Sequence, residues 1–482
     1  MSAVLALDQG TTGSTALVVA SDGRLLGRGY RELTQHYPAP GLVEHDAEEI
    51  LRATLDAARE ALRQANVVPA AIGITNQRET VCVWERDTGR PIHRAIVWQD
   101  RRTARRCAQL ATQRRGKLIR ERCGLVIDPY FSATKIEWLL EHVSGLERRM
   151  RAGDAVFGTV DAWLLFRLTD GRTFATEHTN ACRTMLYGLD RRTWDDDLLR
   201  LFGIAREALP EIRPSSGDFG VCAGRHLGSD MPITGVAGDQ QAALYGQGCW
   251  TAGTAKNTYG TGAFLLLHTG GARAASKRGL LTTVACDARG GPAFALEGSI
   301  FIAGAAVQWL RDGLGLIRHA AETEPLAREV PDTGGVYFVP AFVGVGAPHW
   351  QPDARGTIVG LTRGTGRAHL ARAALEAMAF STLEVLDAMT ADARLSLRAL
   401  QVDGGAAAND WLMQFQADVL GVPVARPDLL ETTALGAAGL AGLGAGVWRR
   451  PADFLAGRTF TRFRPGPDSR AVRARAAEWR RA

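Results

Sequence analysis

The sequence predicts an α/β protein made of two similar halves, and three observations carry that prediction. Residues 3–20, "AVLALDQGTTGSTALVVA", read as an apolar strand, a Gly/Thr turn and a second apolar strand, and residues 255–270, "AKNTYGTGAFLLLHTG", repeat the pattern. Between such runs lie stretches with apolar residues at helical spacing, so helix and strand alternate. At 482 residues the chain is long enough for two or three domains. A boundary near residue 247 gives an N-terminal domain over 1–247 and a C-terminal domain over 248–482, with a cleft expected between the copies.

The elements follow in order. After the opening hairpin, "SDG" (21–23) makes the next turn. Asp46 is placed to cap a helix, with Glu49 at the third helical position as in a capping box, and Leu51, Leu55, Ala58 and Leu62 mark its apolar face. "AAIGIT" (70–75) is a buried strand that runs abruptly into "NQRET" (76–80). That switch is either an ordinary solvated turn or the delivery of amide, cation and carboxylate to one working spot. "GVAGDQQAALYGQ" (235–247) reads as a strand end followed by a helix, with Asp239 either a plain helix cap or a fixed carboxylate at a site. Further on, "AHLARAALEAMAFSTLEVLDAM" is a long Ala-rich helix, and "LQVDGG" is a strand entering a glycine turn. "NDWLMQFQADVLG" is a helix with Asn409 at its start and Gly421 past its end.

Composition narrows the class. A hydrophobic content of 46% with 22% charged residues is that of a globular chain with a sizeable core. The net charge of +6 is dispersed, which makes no nucleic-acid footprint. The 7 cysteines stand singly, with no Cys-x-x-Cys, so reduced thiols in the cytoplasm are expected rather than a disulfide scaffold. No zinc spacing occurs. "MSAVLALDQG" has no basic segment before its apolar run and does not resemble a secretory signal. "ALGAAGLAGLGAGVW" falls short of the ~20 residues that span a bilayer.

No Gly-x-x-x-x-Gly-Lys-Ser/Thr is present, so a P-loop is excluded. Glycine turns with Thr hydroxyls can hold phosphates through backbone N–H groups instead. "DQGTTGST" (8–15) and "YGTGAF" (259–264) both qualify, although each alone fits a polar hairpin turn. Asp8 beside the first suggests Mg²⁺, a hard cation that takes oxygen ligands. Asp239 meets the needs of a base for phosphoryl transfer.

These residues, with "YFSATKIEWLLEH" (130–142), "GTIVGLTRGTGRAHLARAALE" (356–376), "GITNQRET", "IVWQDRRT", "GTVDAWL", "KNTYGTG" and "VDGGAAAND", identify a resemblance. From about Ala3 to "FRPG" the chain resembles the FGGY carbohydrate kinases, in particular those that phosphorylate glycerol. The resemblance implies two actin-like ATPase (ribonuclease H-like) domains, ATP and Mg²⁺ as cofactors, and a homodimer or homotetramer. It places Arg78, Glu79, Tyr130, Asp239 and Gln240 on the hydroxyls of glycerol, with Trp98 and Phe264 as apolar walls. It gives nucleotide contacts to Thr11, Thr12, Gly13, Thr261, Gly304, Gln308, Gly405 and Asn409. Asp8 and Asp239 are implied at the metal, and Asp239 as the base. A kinase for another polyol or a ketose such as xylulose, and a non-catalytic nucleotide-binding scaffold, are the alternatives.

Two departures stand out. Family members carry Thr-Thr-Ser-Ser-Arg at the first phosphate turn, whereas this chain reads Thr11-Thr12-Gly13-Ser14-Thr15, which puts nucleotide affinity in question. "AGRHLGSDMP" (223–232) lacks the Gly-rich basic loop used for sugar-bisphosphate control, so none is expected, and His226 is not expected to be regulatory. "AVRARAAEWRRA" at the C-terminus reads as a solvated basic helix.

Overall fold

The computed structural model describes residues 2–351 and 353–482, and the chain forms two compact units. The first comprises Met1–Trp250, Thr282–Phe294 and Glu431–Gly457, and the second Thr251–Leu281, Ala295–Leu430 and Arg458–Ala482. The elements of the first that position the site include β1 (Ala3–Gln9), β2 (Gly13–Ala20), β3 (Leu25–Glu32), α1 (Ala47–Ala65), β4 (Ala71–Asn76), β5 (Val221–Cys222), β6 (Met231–Gly238) and α2 (Asp239–Gly246). Its six-stranded sheet runs β5-β6-β4-β1-β2-β3.

β1 pairs antiparallel with β2 but parallel with β4, and β4 pairs parallel with β6. Register does the positioning. Asp8 lies opposite Thr75, while Gln9 and Gly238 each lie opposite Asn76. Three strands therefore finish side by side, and the residues that follow them share one edge of the sheet. Ligand sites of α/β sheets form at the carboxyl ends of parallel strands. The strand interiors are apolar on both faces, as parallel strands covered by helices must be. Val4, Leu5, Ala6, Leu7, Ile72 and Ile74 are fully buried.

α1 begins as its sequence predicts, with the Asp46 carboxylate accepting from the backbone N–H groups of Glu48 and Glu49. The capping box is only half made. The Glu49 carboxylate turns instead to accept from the Thr34 backbone and hydroxyl, at 3.0 and 2.8 Å. Leu51, Leu55 and Ala58 are buried as the apolar face requires.

The Ala/Gly-rich stretch that falls short of a membrane span forms the helix Thr432–Gly444, buried against α2 and β4 in this unit. No helix among the described residues is long and apolar enough to cross a membrane. Its small residues are required by contact. A Cβ on Gly436 would lie 1.9 Å from the Ala242 carbonyl, and one on Gly73 would lie 2.2 Å from that of Ala437. Backbone cannot yield cheaply to such contacts, so Gly436→Val should destabilise the chain by about 3 kcal/mol, at the upper end of overpacking costs. Chemical denaturation measures it, and a change below about 1 kcal/mol would contradict the packing.

A buried polar network braces the strand ends. Gln77 donates its amide to Gln9 Oε1 at 3.1 Å and to His45 Nδ1 at 3.4 Å, and its carbonyl accepts from the Thr80 hydroxyl at 2.8 Å. His45 Nδ1 is thus the acceptor, which leaves Nε2–H to donate to Gln35 Oε1 at 2.9 Å. Gln35 in turn donates to the Thr11 carbonyl at 2.7 Å. Burial, aided by His36, holds the His45 imidazole neutral, with its pKa down at about 4. The unfolded chain binds the proton more readily, so stability is complete above the ordinary value of 6.5 and is lost as pH falls through about 4. Denaturation from pH 7 to 4 should show His45→Gln losing less stability than the parent, by on the order of 3 kcal/mol. Parallel profiles would contradict the neutral imidazole.

The second unit contains β7 (Ala255–Tyr259), β8 (Ala263–Gly270), α3 (Gly304–Asp312), α4 (Arg367–Ala393), β9 (Leu400–Asp403), α5 (Asp410–Leu420), β10 (Val424–Pro427) and β11 (Phe460–Phe463). Within a seven-stranded sheet these strands run β8-β7-β9-β10-β11. β7 pairs antiparallel with β8 and parallel with β9, the same hairpin-plus-parallel-strand arrangement as β1, β2 and β4. α5 starts at Asn409, whose Oδ1 accepts from Leu412 N–H at 2.9 Å, and ends at Gly421 in the left-handed conformation.

The C-terminal stretch differs from its expectation as one solvated helix. It forms two short helices, Ser469–Ala474 and Ala476–Trp479, and Trp479 is buried with its indole N–H donating to the Phe338 carbonyl at 2.8 Å. The amphipathic Trp, with a large apolar face and one polar handle, decides the outcome against the surrounding arginines.

Candidate active site

Beyond β4, the chain turns at Arg78 and Glu79. Glu79 adopts a positive φ of 63°, a conformation that costs a non-glycine residue energy and persists where surroundings impose it. The surroundings are visible. The Ser132 hydroxyl donates to the Glu79 carbonyl at 2.9 Å, and Arg183 Nε donates to Glu79 Oε1 at 2.6 Å. Arg78 Nε stands 3.1 Å from Asp239 Oδ1 and 3.8 Å from Glu79 Oε1. Carboxylate and guanidinium thus alternate as Asp239, Arg78, Glu79, Arg183. The three inner side chains are at most 2% exposed, whereas Asp239 keeps 30% of its surface open. The chain of charges presents its one accessible carboxylate at the end.

Asp239 arrives there because β6 ends at Gly238, which is itself the helix cap. Asp239 is the first residue of α2, and its carboxylate accepts from Gln240 N–H at 2.6 Å. Asp239 thus stands inside the helix and is not its cap. Gly238 is needed here: a Cβ would lie 2.8 Å from the Arg78 stem, which occupies that space. Gln240 follows on the same helix turn and is half-buried.

An aromatic group flanks the constellation. The rings of Trp98 and Tyr130 meet edge-on at 5.5 Å, and Tyr130 meets Phe131 at 5.0 Å. The indole N–H of Trp98 donates to the Thr11 hydroxyl at 2.9 Å, joining the aromatic group to the first Gly/Thr turn. In that turn Gly13 is explained by crowding, since a Cβ would lie 2.5 Å from the Arg31 carbonyl on β3. Thr12 is exposed and Thr11 half-buried, both reachable by a ligand.

Asp8 ends close to acidic neighbours. Loss of water, then the carboxylates of Asp239 and Glu431, push its pKa up to about 7. A hard divalent cation would relieve that repulsion, and the donors are the oxygen type that Mg²⁺ takes. Among the described residues no three or more His, Cys, Asp or Glu side chains form a ready metal cage.

The second unit holds a cavity of ≈590 Å³. Thr261, Gly304, Gln308, Gly405 and Asn409, all expected at the nucleotide, line it together. The β7–β8 turn is tied to the start of α3, with Ala303 and Ala305 N–H donating to the Thr261 carbonyl at 2.8 and 3.0 Å. Gly304 can be nothing larger, because a Cβ would lie 2.6 Å from the Gly260 carbonyl. Asn409 serves both as cap and as wall, its amide also donating to the Thr323 hydroxyl at 3.3 Å. Phe264 lies in this unit on β8, opposite Thr258.

Three participants were not anticipated from sequence: Arg183, Gln241 and Arg311. Gln241 accepts from Arg78 Nη1 at 3.2 Å and donates to Thr283 Oγ1 at 3.2 Å and to the Val284 carbonyl at 3.0 Å. Arg311 lines the cavity beside Gln308. Gln241 adjoins the expected Gln240 in "DQQ", and only the helix phase distinguishes the two. Nothing local in "NACRTM" marks Arg183.

Residues 3–246 match the N-terminal domain of the FGGY family of carbohydrate kinases, and residues 255–445 match its C-terminal domain. The chain is 57% identical over its whole length to a glycerol kinase of Alkalilimnicola ehrlichii, 98% of which is covered. It is 58% identical to one of Thermus brockianus, with 94% of each chain covered. Its structure is similar to the crystal structure of Plasmodium falciparum glycerol kinase with ADP, at a TM-score of 0.95 and 36% identity, covering 100% of this chain and 97% of that one. A xylulose kinase from Lactobacillus acidophilus superimposes at a TM-score of 0.88 over 100% of this chain and 97% of that one, but at 20% identity it speaks for the fold alone. The chain belongs to the FGGY family of carbohydrate kinases.

Proposed function

We propose that this chain transfers the terminal phosphate of ATP to a primary hydroxyl of glycerol, giving sn-glycerol 3-phosphate and ADP. The observation that carries this reading is the alternating charge chain, which ends in one accessible carboxylate, Asp239, beside a buried guanidinium. A small triol is nearly all hydroxyl, so a site for it must supply donors and acceptors in pairs. Arg78 supplies the donor fork and Glu79 the acceptor, with Tyr130 beside them for the hydroxyls, while Trp98, edge-on to Tyr130, gives apolar surface to the carbon chain. A site of this kind rejects a ligand lacking a hydroxyl, because its own polar groups would be left unpaired.

In the reaction, the Asp239 carboxylate accepts the proton of the attacking hydroxyl. The alcohol oxygen forms its bond to the γ-phosphorus as the bond to the bridging oxygen of ADP breaks. Arg78 holds the Asp239 carboxylate in one orientation. Thr11, Thr12 and Gly13 in the first unit, and Thr261, Gly304, Gln308, Gly405 and Asn409 in the second, are the proposed nucleotide contacts. Mg²⁺, held by Asp8 and Asp239, would neutralise phosphate charge when bound. All seven thiols are buried and unbridged, which suits action in the reducing cytoplasm.

The test compares ADP release with glycerol, dihydroxyacetone and xylulose, for the parent and for Asp239→Asn. Glycerol should give the highest kcat/KM. Asp239→Asn should lower kcat by ~10²–10⁴-fold while ATP still binds, the range of a lost proton acceptor. A ketose turned over as well as glycerol would overturn the acceptor. Unchanged turnover in Asp239→Asn would remove it from the base role.

A further inference from the structure

The segment Ala175–Thr184 belongs to neither Gly/Thr turn, yet it grips both strand ends that carry the acceptor residues. Thr179 Oγ1 accepts from the Gly238 backbone N–H at 2.8 Å, immediately before Asp239. Asn180 and Asn76 exchange two amide hydrogen bonds, each 3.0 Å, immediately before Gln77. Glu177 braces the segment by accepting from the backbone N–H groups of Thr179 and Asn180, both at 2.6 Å. The segment then turns back and delivers Arg183 to Glu79.

Arg183 is fully buried, with its Nε on Glu79 Oε1 at 2.6 Å and its guanidinium 5.5 Å from the Tyr130 ring and 5.2 Å from that of Phe131. One side chain therefore fixes a carboxylate and an aromatic wall together. A planar, delocalised cation suits both, because it can donate in its plane while its face lies on rings. Glu79 has a positive φ of 63°, with Ser132 holding its backbone carbonyl and Arg183 its carboxylate.

We propose that Arg183 is the positioning residue of the acceptor site: through Glu79 and Tyr130 it sets affinity for the polyol and leaves the nucleotide alone. The inference rests on the reading of Glu79 as a polyol contact. Steady-state kinetics on Arg183→Met, Arg183→Lys, Glu79→Gln and the Arg183→Met/Glu79→Gln double variant tests it, with a thermal melt of each. In Arg183→Met the KM for glycerol should rise about 30-fold, the factor carried by one hydrogen bond to a charged group, with the KM for ATP within about twofold. Arg183→Lys should recover part of that loss. In the Glu79→Gln background, Arg183→Met should lower kcat/KM for glycerol by less than about threefold further, because residues acting as a unit are not additive.

A glycerol KM within about threefold of the parent in Arg183→Met would overturn the proposal. So would equal rises in both KM values, or losses that multiply in the double variant. If Arg183→Met does not fold, Arg183→Lys decides by the same split between glycerol and ATP. A parent enzyme inactive on glycerol would instead refute the assigned acceptor, and the split would then be read on the acceptor it uses.

Discussion

The structure depends on a row of four alternating charges, three of them buried and the fourth, Asp239, partly open. Asp239, Arg78, Glu79 and Arg183 alternate in sign, and each neighbouring pair offsets part of what removal from water costs its members. Removing one member of such a set leaves another uncompensated, at a typical cost of 3–5 kcal/mol. A run of this kind stabilises the fold poorly compared with an apolar core of the same volume. It fixes direction instead: two donors and two acceptors with settled orientations, one of them open to solvent.

The backbone brings these charges to one edge by register. β4 is central among the parallel strands, with β1 on one side and β6 on the other. A shift of one residue in either pairing would move Asp8 or Asp239 relative to Arg78 by a strand rise of about 3.3 Å, and would turn side chains to the opposite face. Close packing opposes that shift: a Cβ at Gly73 would lie 2.2 Å from the Ala437 carbonyl, so neither Ile72 nor Ile74 could take its place against the helix Thr432–Gly444. Beneath the strand ends, the amide–imidazole network of Gln9, Gln35, His45 and Gln77 holds the turns that leave them. Core packing thus becomes chemical geometry through strand pairing.

Much of this was legible in the sequence. The two hairpins, α1, α2, α5 and the glycine turn after β9 follow from period, caps and turn residues acting locally. Arg78 and Glu79 stand just past the predicted strand, and Asp239 and Gln240 at the predicted junction of strand and helix. The five residues of the second unit expected at the nucleotide share a cavity. What was not legible lies far apart along the chain. Arg183 reaches Glu79 across 104 positions, and no local pattern encodes that contact. The helix Thr432–Gly444 joins the first unit within Glu431–Gly457, although the segments before and after that stretch lie in the second, because its small residues fit β4 and α2. Trp479 overrode a run of arginines through one buried surface, which a charge count cannot foresee.

The most direct test is an experimental structure with glycerol and a non-hydrolysable ATP analogue. The account predicts the triol within hydrogen-bond reach of Arg78 and Glu79, with one primary hydroxyl on the Asp239 carboxylate and Arg183 still holding Glu79. A triol bound elsewhere, or Arg78 turned away from Asp239 when the site is filled, would contradict it.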